Sequence, residues 1–385
     1  PTSGPVTSLA SGANHMLAVI DGKPAPAPAY PVVEDEPLDR YSMNSAGNNA
    51  AGQLGTQNLV SSSSVVPVLW EPQGEIGQTV AFGGTSCALV DGQPWCWGAG
   101  ANGQLGNGSA SNSLVPVEVT KNWEGTVTRL QAKTGTVCAL TDSGEVWCWG
   151  VGGSGVLGIA GSSDARVPVK VNLPGKATSM DVGDQHGCAV VADGGLYCWG
   201  SNSYSRVAPG GATGTLRPTL VTGFPPGIVK VSAVTVGLWY TCAVAGAAAE
   251  LYCWGLNAQT NAGIGTGVTG VEAWPAATGL KGVTRAESGT YSTCAVNSAG
   301  LHCVGLNTSG QLGLGTTVSQ TRFQQVAAMD GRAITDLTVS SANTCVITDG
   351  GTAWCWGANG NGQLGAGATA NFLSPMEMTS FLKPG

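Results

Sequence analysis

The sequence predicts an all-β protein, a seven-bladed β-propeller with four antiparallel strands per blade, on three observations. A cysteine-centred segment recurs six times, its first cysteines standing at 87, 138, 188, 242, 294 and 345, in steps of 51, 50, 54, 52 and 51 residues. A fixed period near 50 belongs to a propeller, solenoid or array. Each unit holds four short strand-like runs punctuated by Gly and Asp-Gly, the content of a propeller blade rather than of a solenoid rung. The composition agrees: 60 of 385 residues are Gly, 10% are charged and 42% are hydrophobic. Such a chain turns often and buries extended backbone instead of staying disordered.

Within a unit, the first strand is expected to be a Pro-containing edge such as VPVEV (115–119) or VPVKV (167–171), since Pro lacks the N–H that an inner strand must donate. The second resembles VTRLQAK (127–133), the third is CAL or CAV, and the fourth is WCW or YCW. Asp91-Gly92 and Asp349-Gly350 fall between the last two and suit a tight hairpin turn. The expected units are 1–64, 65–114, 115–166, 167–216, 217–273, 274–322 and 323–373, with a closing strand at 374–378, all in one domain. The first unit is a damaged copy. GANHMLAVIDG (12–22) puts Met16 at the first cysteine position, and AGNNAAGQLG (46–55) puts Ser45 at the second. This unit has no Pro-containing strand before Val6, whereas the chain ends on SPMEM (374–378). The ring is therefore expected to close by pairing of the C-terminal strand beside Val6–Ala10, which would leave no open edge there.

All twelve cysteines fall into the pairs Cys87/Cys96, Cys138/Cys148, Cys188/Cys198, Cys242/Cys253, Cys294/Cys303 and Cys345/Cys355, separated by 9 to 11 residues. Across a hairpin, that spacing sets partners opposite each other, within disulfide reach at a closely spaced pair. The alternative is reduced cysteines acting as small apolar residues. Pairing in six units and joint loss in the seventh favour the bond, and with it an oxidising compartment. There is no C-x-x-C, and the histidines are only His15, His186 and His302, so no metal or cofactor is expected. His186 and His302 sit in strand contexts and are expected to pack.

The net charge of −7 argues against nucleic acid as a partner. No apolar run is long enough to span a bilayer, and no basic-then-apolar leader opens the chain, as expected of a mature exported form or an excised ectodomain. GAGANG (98–103) and GVGGSG (150–155) match a dinucleotide fingerprint, but no helical pattern follows to bind phosphate. The tryptophans flanking the cysteines in strand four are expected between blades, whereas Trp70, Trp123, Trp239 and Trp274 break the repeat and are the candidates for surface contacts. Asn107 in N-G-S and Asn307 in N-T-S are glycosylation acceptors by pattern. An insert over 23–40 holds PAPAPAYP followed by acidic residues. Pro24, Pro26, Pro28, Tyr30, Glu34, Asp35 and Glu36 are the candidate interaction arm, against the plainer reading of a solvated loop. No nucleophile elbow, H-E-x-x-H or carboxylate cluster appears, so no catalytic residues are assigned and no enzyme is expected.

The residues WG followed by GQLG, repeated along the chain, resemble the regulator-of-chromosome-condensation repeat family. The match is sharp at Gln104, Gln311 and Gln363, weaker at GVLG (155–158), and degenerate in the fourth and fifth units. The resemblance implies a seven-bladed propeller. It implies no single activity, because the family includes a nuclear exchange factor, plant photoreceptors, a secreted bacterial β-lactamase inhibitor and receptor ectodomains. The exchange activity is not carried over to an acidic, cysteine-paired chain, nor does it hold the photoreceptor's Gly-Trp-Arg-His run. The cysteine-paired variety looks like bacterial exported members and plant crinkly-type ectodomains. The expectation is a secreted or cell-surface, non-enzymatic module that recognises protein, glycan or other copies of itself. A receptor's ligand-binding ectodomain and a glycan-acting enzyme with a central-channel site are the alternatives.

Overall fold

The computed structural model describes residues 4–21, 42–209, 214–257 and 270–379. The candidate arm from Pro24 to Glu36 lies outside the described residues. The described chain forms seven four-stranded antiparallel sheets, each built from four consecutive strands. First and fourth strands are Val6–Ser11 and Ser62–Pro67, Ile76–Phe82 and Ser113–Glu118, Val127–Lys133 and Ala165–Lys170, Ala177–Val182 and Gly214–Leu220, Val231–Val236 and Val271–Ala277, Arg285–Ser288 and Gln320–Gln325, and Ile334–Val339 and Phe372–Glu377. The first strands touch in a closed circle, the seventh back against the first. This is the expected seven-bladed propeller, with first strands around a central channel and fourth strands on the rim.

Two expectations are corrected. The Pro-containing strand is the last strand of its blade and not the first, so each expected unit is out of phase with its blade. CAL and WCW are second and third strands, not third and fourth. Cys87, Cys138, Cys188, Cys242, Cys294 and Cys345 thus lie on second strands, and Cys96, Cys148, Cys198, Cys253, Cys303 and Cys355 on third strands, inside the sheet instead of at its rim. A period fixes the spacing of repeats but not where one begins. The ring therefore does not close by strand pairing between the termini. The strand Phe372–Glu377 pairs inside blade seven, Cys355 opposite Met376, and blade one carries its own outer strand, Ser45 opposite Val66. Closure comes from side-chain packing and a few backbone hydrogen bonds. Val6, Leu9, Met16 and Ile20 share one apolar cluster with Cys345, Ile347, Ala353, Cys355 and Met378. Val6 N donates to Gly351 O at 2.8 Å and Gly367 N to Ser63 O at 2.9 Å. The second correction is one residue in register. Leu17, not Met16, stands opposite Ser45 and so occupies the first cysteine's position.

The core is not central. Seven apolar clusters each combine two adjacent blades, one per junction around the ring. The tryptophan after the second cysteine fills five of them, since Trp97, Trp149, Trp199, Trp254 and Trp356 are at most 1% exposed. One glycine makes the third strand possible in every blade. Gly47, Gly98, Gly150, Gly200, Gly255, Gly305 and Gly357 all hold φ between +92 and +112, and a Cβ at Gly98 would stand 2.3 Å from Gly84 O. Only Gly takes this conformation freely, and there the ladder to the fourth strand shifts register.

Candidate functional site

Six of the seven blades carry a hairpin staple. Cys87–Cys96, Cys138–Cys148, Cys188–Cys198, Cys242–Cys253, Cys294–Cys303 and Cys345–Cys355 are all disulfide-bonded, as expected, with Cα–Cα 4.1 Å in each. No free cysteine remains among the described residues. That separation belongs to the narrow, non-hydrogen-bonded antiparallel pair. Closing a loop of about ten residues stabilises each hairpin by roughly 2–3 kcal/mol.

A second repeated device joins neighbours on one end of the disc, which we call the upper face. It carries the turns between first and second strands and the connections between third and fourth. The indole N–H of Trp97 donates to Gln53 O, that of Trp149 to Gln104 O, Trp199 to Val156 O, Trp254 to Arg206 O and Trp356 to Gln311 O, at 2.7 to 3.1 Å. Each acceptor is the second residue of the preceding blade's GQLG loop or its degenerate counterpart. The motif thus anchors one blade on the next. The same loops contain Asn307, fully buried, whose amide donates to Thr316 O and Val318 O and accepts from Leu312 N. Asn307 is a loop clamp and cannot carry a glycan. Asn49 and Asn359 repeat its role. Asn107 is half-buried, and its side-chain oxygen caps a turn at Ser109 N. The histidines His15 and His186 pack, fully buried, and reach the next blade at Ser86 and Thr241, 2.9 Å each. Burial pushes the His15 imidazole down to about 4 and His186 well below its usual value.

The central channel encloses about 420 Å³ and is lined by first strands of five blades. Its walls carry charges that sequence reasoning missed. Arg129 bonds Glu287 across the channel at 3.2 Å, and Arg285 bonds Asp336 at 2.8 Å. Lys133 leaves blade three to donate to Ser288 O at 2.5 Å and to Val236 O, 3.7 Å from the carboxylate of Asp181. Asp181, 2% exposed, also accepts from Val236 N at 2.7 Å and Thr235 Oγ1 at 3.2 Å. Blades three to six are thereby tied through one buried network. Burial, with Asp181 nearby, pushes the Glu287 carboxyl up to about 7, although Arg129 and Lys133 oppose the shift. Burial also raises Asp336 against the pull of Arg285. A convergence of carboxylates in the channel is what an enzyme reading asks for. Here Asp181, Glu287 and Asp336 are each engaged by a cation, and Asp184 accepts from the Thr134 hydroxyl. In a chain only 10% charged, charges within first strands were the available signal.

Beside the channel mouth, the upper face carries an aromatic row. Tyr204 in blade four stands 6.1 Å from Trp239 in blade five, and Trp239 stands 5.6 Å from Tyr291 in blade six, as ring centroids. Tyr204 is 45% exposed, and the other two are half-buried. Beneath them, Arg206 takes the place of the GQLG glutamine. It is 1% exposed and binds Ser201 O, Leu238 O and Gln185 Oε1 at 2.8 to 3.0 Å. Of the other repeat-breaking tryptophans, Trp70 and Trp123 pack on Trp95 and Trp147, and Trp274 is 51% exposed on the rim.

The family model described as the RCC1-like domain matches residues 42–384. The chain belongs to the RCC1-like domain family. This RCC1-like propeller is 29% identical over 368 residues to the RCC1 domain-containing protein RUG3, mitochondrial, of Arabidopsis thaliana, covering 87% of this chain and 81% of that one. Its fold matches yeast RCC1 (Prp20), solved bound to Kap60, with a TM-score of 0.74, 17% identity and coverage of 86% and 82%. It also matches the ectodomain of the Physcomitrella patens receptor kinase CR4, with a TM-score of 0.52, 16% identity and coverage of 93% and 74%. No helix among the described residues of the RCC1-like chain is long and apolar enough to cross a membrane.

Proposed function

We propose that this RCC1-like propeller is a non-enzymatic binding module of an oxidising, extracytoplasmic compartment, secreted or at the cell surface, and that it recognises a protein through its upper face. The observation that carries the reading is the Tyr204–Trp239–Tyr291 row, three partly exposed rings held rigidly across three blades beside the channel mouth. Tyr and Trp dominate binding energy at protein interfaces because they offer large area at little entropic cost. The row's support is rigid, since Arg206 locks the loop under Tyr204 to the turn that carries Trp239. Six disulfides support the compartment, and a receptor ectodomain shares the fold. Yeast RCC1, with the same fold, binds the protein Kap60.

The test is a binding screen of the oxidised protein against secreted proteins and against a glycan array, each repeated with Trp239→Ala and Tyr291→Ala. The reading expects a protein ligand whose affinity falls at least about tenfold in either variant, on the scale of an interface hot spot. Binding to glycans alone, or a ligand indifferent to both changes, contradicts it. Turnover of a glycan that Glu287→Gln abolishes would establish the enzyme reading instead.

A further inference from the structure

The rim of a propeller is a ring of strand edges, and in this chain six of the seven are obstructed in one way. In every blade, the residue just after the register of the fourth strand donates its N–H inward to the third strand: Val68 to Met43 O, Val119 to Pro94 O, Val171 to Val146 O, Val221 to Leu196 O, Thr278 to Leu251 O, Val326 to Leu301 O and Met378 to Ala353 O. Backbone groups alternate in direction along a strand. The residue one place earlier therefore points outward, and the residue three places earlier has no partner on the third strand, because the ladder shifts register there. Pro116, Pro168, Pro218, Pro275 and Pro375 occupy the position three earlier, and Pro67 the position one earlier. Proline thus removes a donor that the ladder does not use from blades one to five and seven, a recognised way of blunting an edge. In blade six the corresponding residues are Phe323 and Gln325, in the strand Gln320–Gln325. Both keep N–H groups that the ladder to the third strand does not use. This strand holds a single charge, Arg322, and Thr321, Arg322, Gln324 and Gln325 are exposed.

We propose that the blade-six edge, Gln320–Gln325, joins the same edge of a second copy, antiparallel about a twofold axis. The second copy follows from the count of open edges. An exposed strand pairs with another exposed strand, and among the described strands of this chain that edge is the one rim edge without proline. Head-to-tail contact through a different blade is obstructed, so the association closes at two. Registers that pair these two open positions with each other, Phe323 opposite Phe323 or opposite Gln325, never set Arg322 against Arg322, so like charges do not meet. The inference stands on strand register alone and is independent of the upper-face reading.

Phe323→Pro is the decisive variant, because the fold already accepts proline at this position in five blades. Sedimentation at about 100 µM chain, a concentration that populates micromolar complexes, should give twice the 38.5 kDa chain mass for the parent and for Phe323→Ala, which keeps the N–H. Phe323→Pro should give the single-chain mass. Gln325→Pro, at the position of Pro67, repeats the test if Phe323→Pro does not fold. Amide exchange at Phe323 and Gln325 should slow at least tenfold between dilute and concentrated parent protein. A parent chain monomeric at that concentration, or dimers that survive both proline variants, overturns the proposal.

Discussion

The hairpin shell and the channel of this molecule are built on opposite plans. The shell repeats: the same cysteine pair, positive-φ glycine and indole latch recur around the ring, each acting within a blade or on the next one. The channel does not repeat. Lys133, Asp181, Arg129 and Glu287 come from blades three, four and six, each occurs once, and Arg129 and Lys133 reach from blade three to blade six, which is not its neighbour. The comparison teaches that this protein holds its ring by many redundant local contacts and sets its interior polarity by one network with no spare copy. Loss of one staple should therefore be tolerated, whereas loss of one channel charge should be felt by four blades.

The largest effect should come from reducing the whole shell. Six loop constraints of roughly 2–3 kcal/mol each sum to about 12–18 kcal/mol, as large as the usual margin of about 5–15 kcal/mol. Full reduction should therefore unfold the protein near room temperature in a calorimetric scan, while Cys138→Ser with Cys148→Ser lowers stability by only one increment. A reduced protein that melts within a few degrees of the oxidised one would break the contrast from the shell side.

Next in size is Asp181→Ala, which removes the carboxylate beside Lys133 and strands three buried donors, the N–H groups of Val182 and Val236 and the Thr235 hydroxyl. It should cost about 3–5 kcal/mol, and Asp181→Leu combined with Lys133→Met should cost much less than the two single changes added together. Denaturant titration reads both. Additive losses would show that the channel network is no network.

The pH dependence separates the regions by sign. The Glu287 carboxyl is raised to about 7 from 4.5, so the folded state holds its proton longer than the unfolded chain. Its favourable contribution is present below about 4.5 and is lost as pH rises through about 7. The His15 imidazole is lowered to about 4 from 6.5, so its contribution is present above 6.5 and is lost as pH falls through about 4. Glu287→Gln should flatten the decline between pH 5 and 8, on the order of 1–3 kcal/mol, without altering the acid limb. A decline unchanged in that variant would remove Glu287 from the explanation.

The smallest effect sharpens the shell. Trp149→Phe keeps most of the ring but leaves Gln104 O without its indole donor, at a cost of about 1–2 kcal/mol, read as a modest fall in midpoint.

What was legible in the sequence follows the same division. The blade count, the six bonds and the place of the tryptophans were readable because each recurs, and recurrence separates a requirement from an accident. The phase was not readable. A proline marks an edge, but the edge after WCW and the edge before VTRLQAK look alike in a string. Met16 was misplaced by one because, with both cysteines gone, nothing pinned the register that Leu17 and Ser45 define. Asn307 matched a three-residue acceptor pattern, yet its burial in a loop clamp depends on backbone nine to eleven residues away. Asp181, Glu287 and Arg206 are not legible in the string because each occurs in a single blade, and their partners become neighbours only when the ring closes.

The functional reading depends on the staples existing in the cell as they do in the fold. The direct measurement is the intact mass of the protein isolated from its source with thiols alkylated on lysis. The account predicts no alkylated cysteine and a mass about 12 Da below that of the fully reduced chain, one hydrogen for each of the 12 cysteines. A chain carrying alkyl groups on its cysteines would contradict it, and would return the propeller to a reducing compartment.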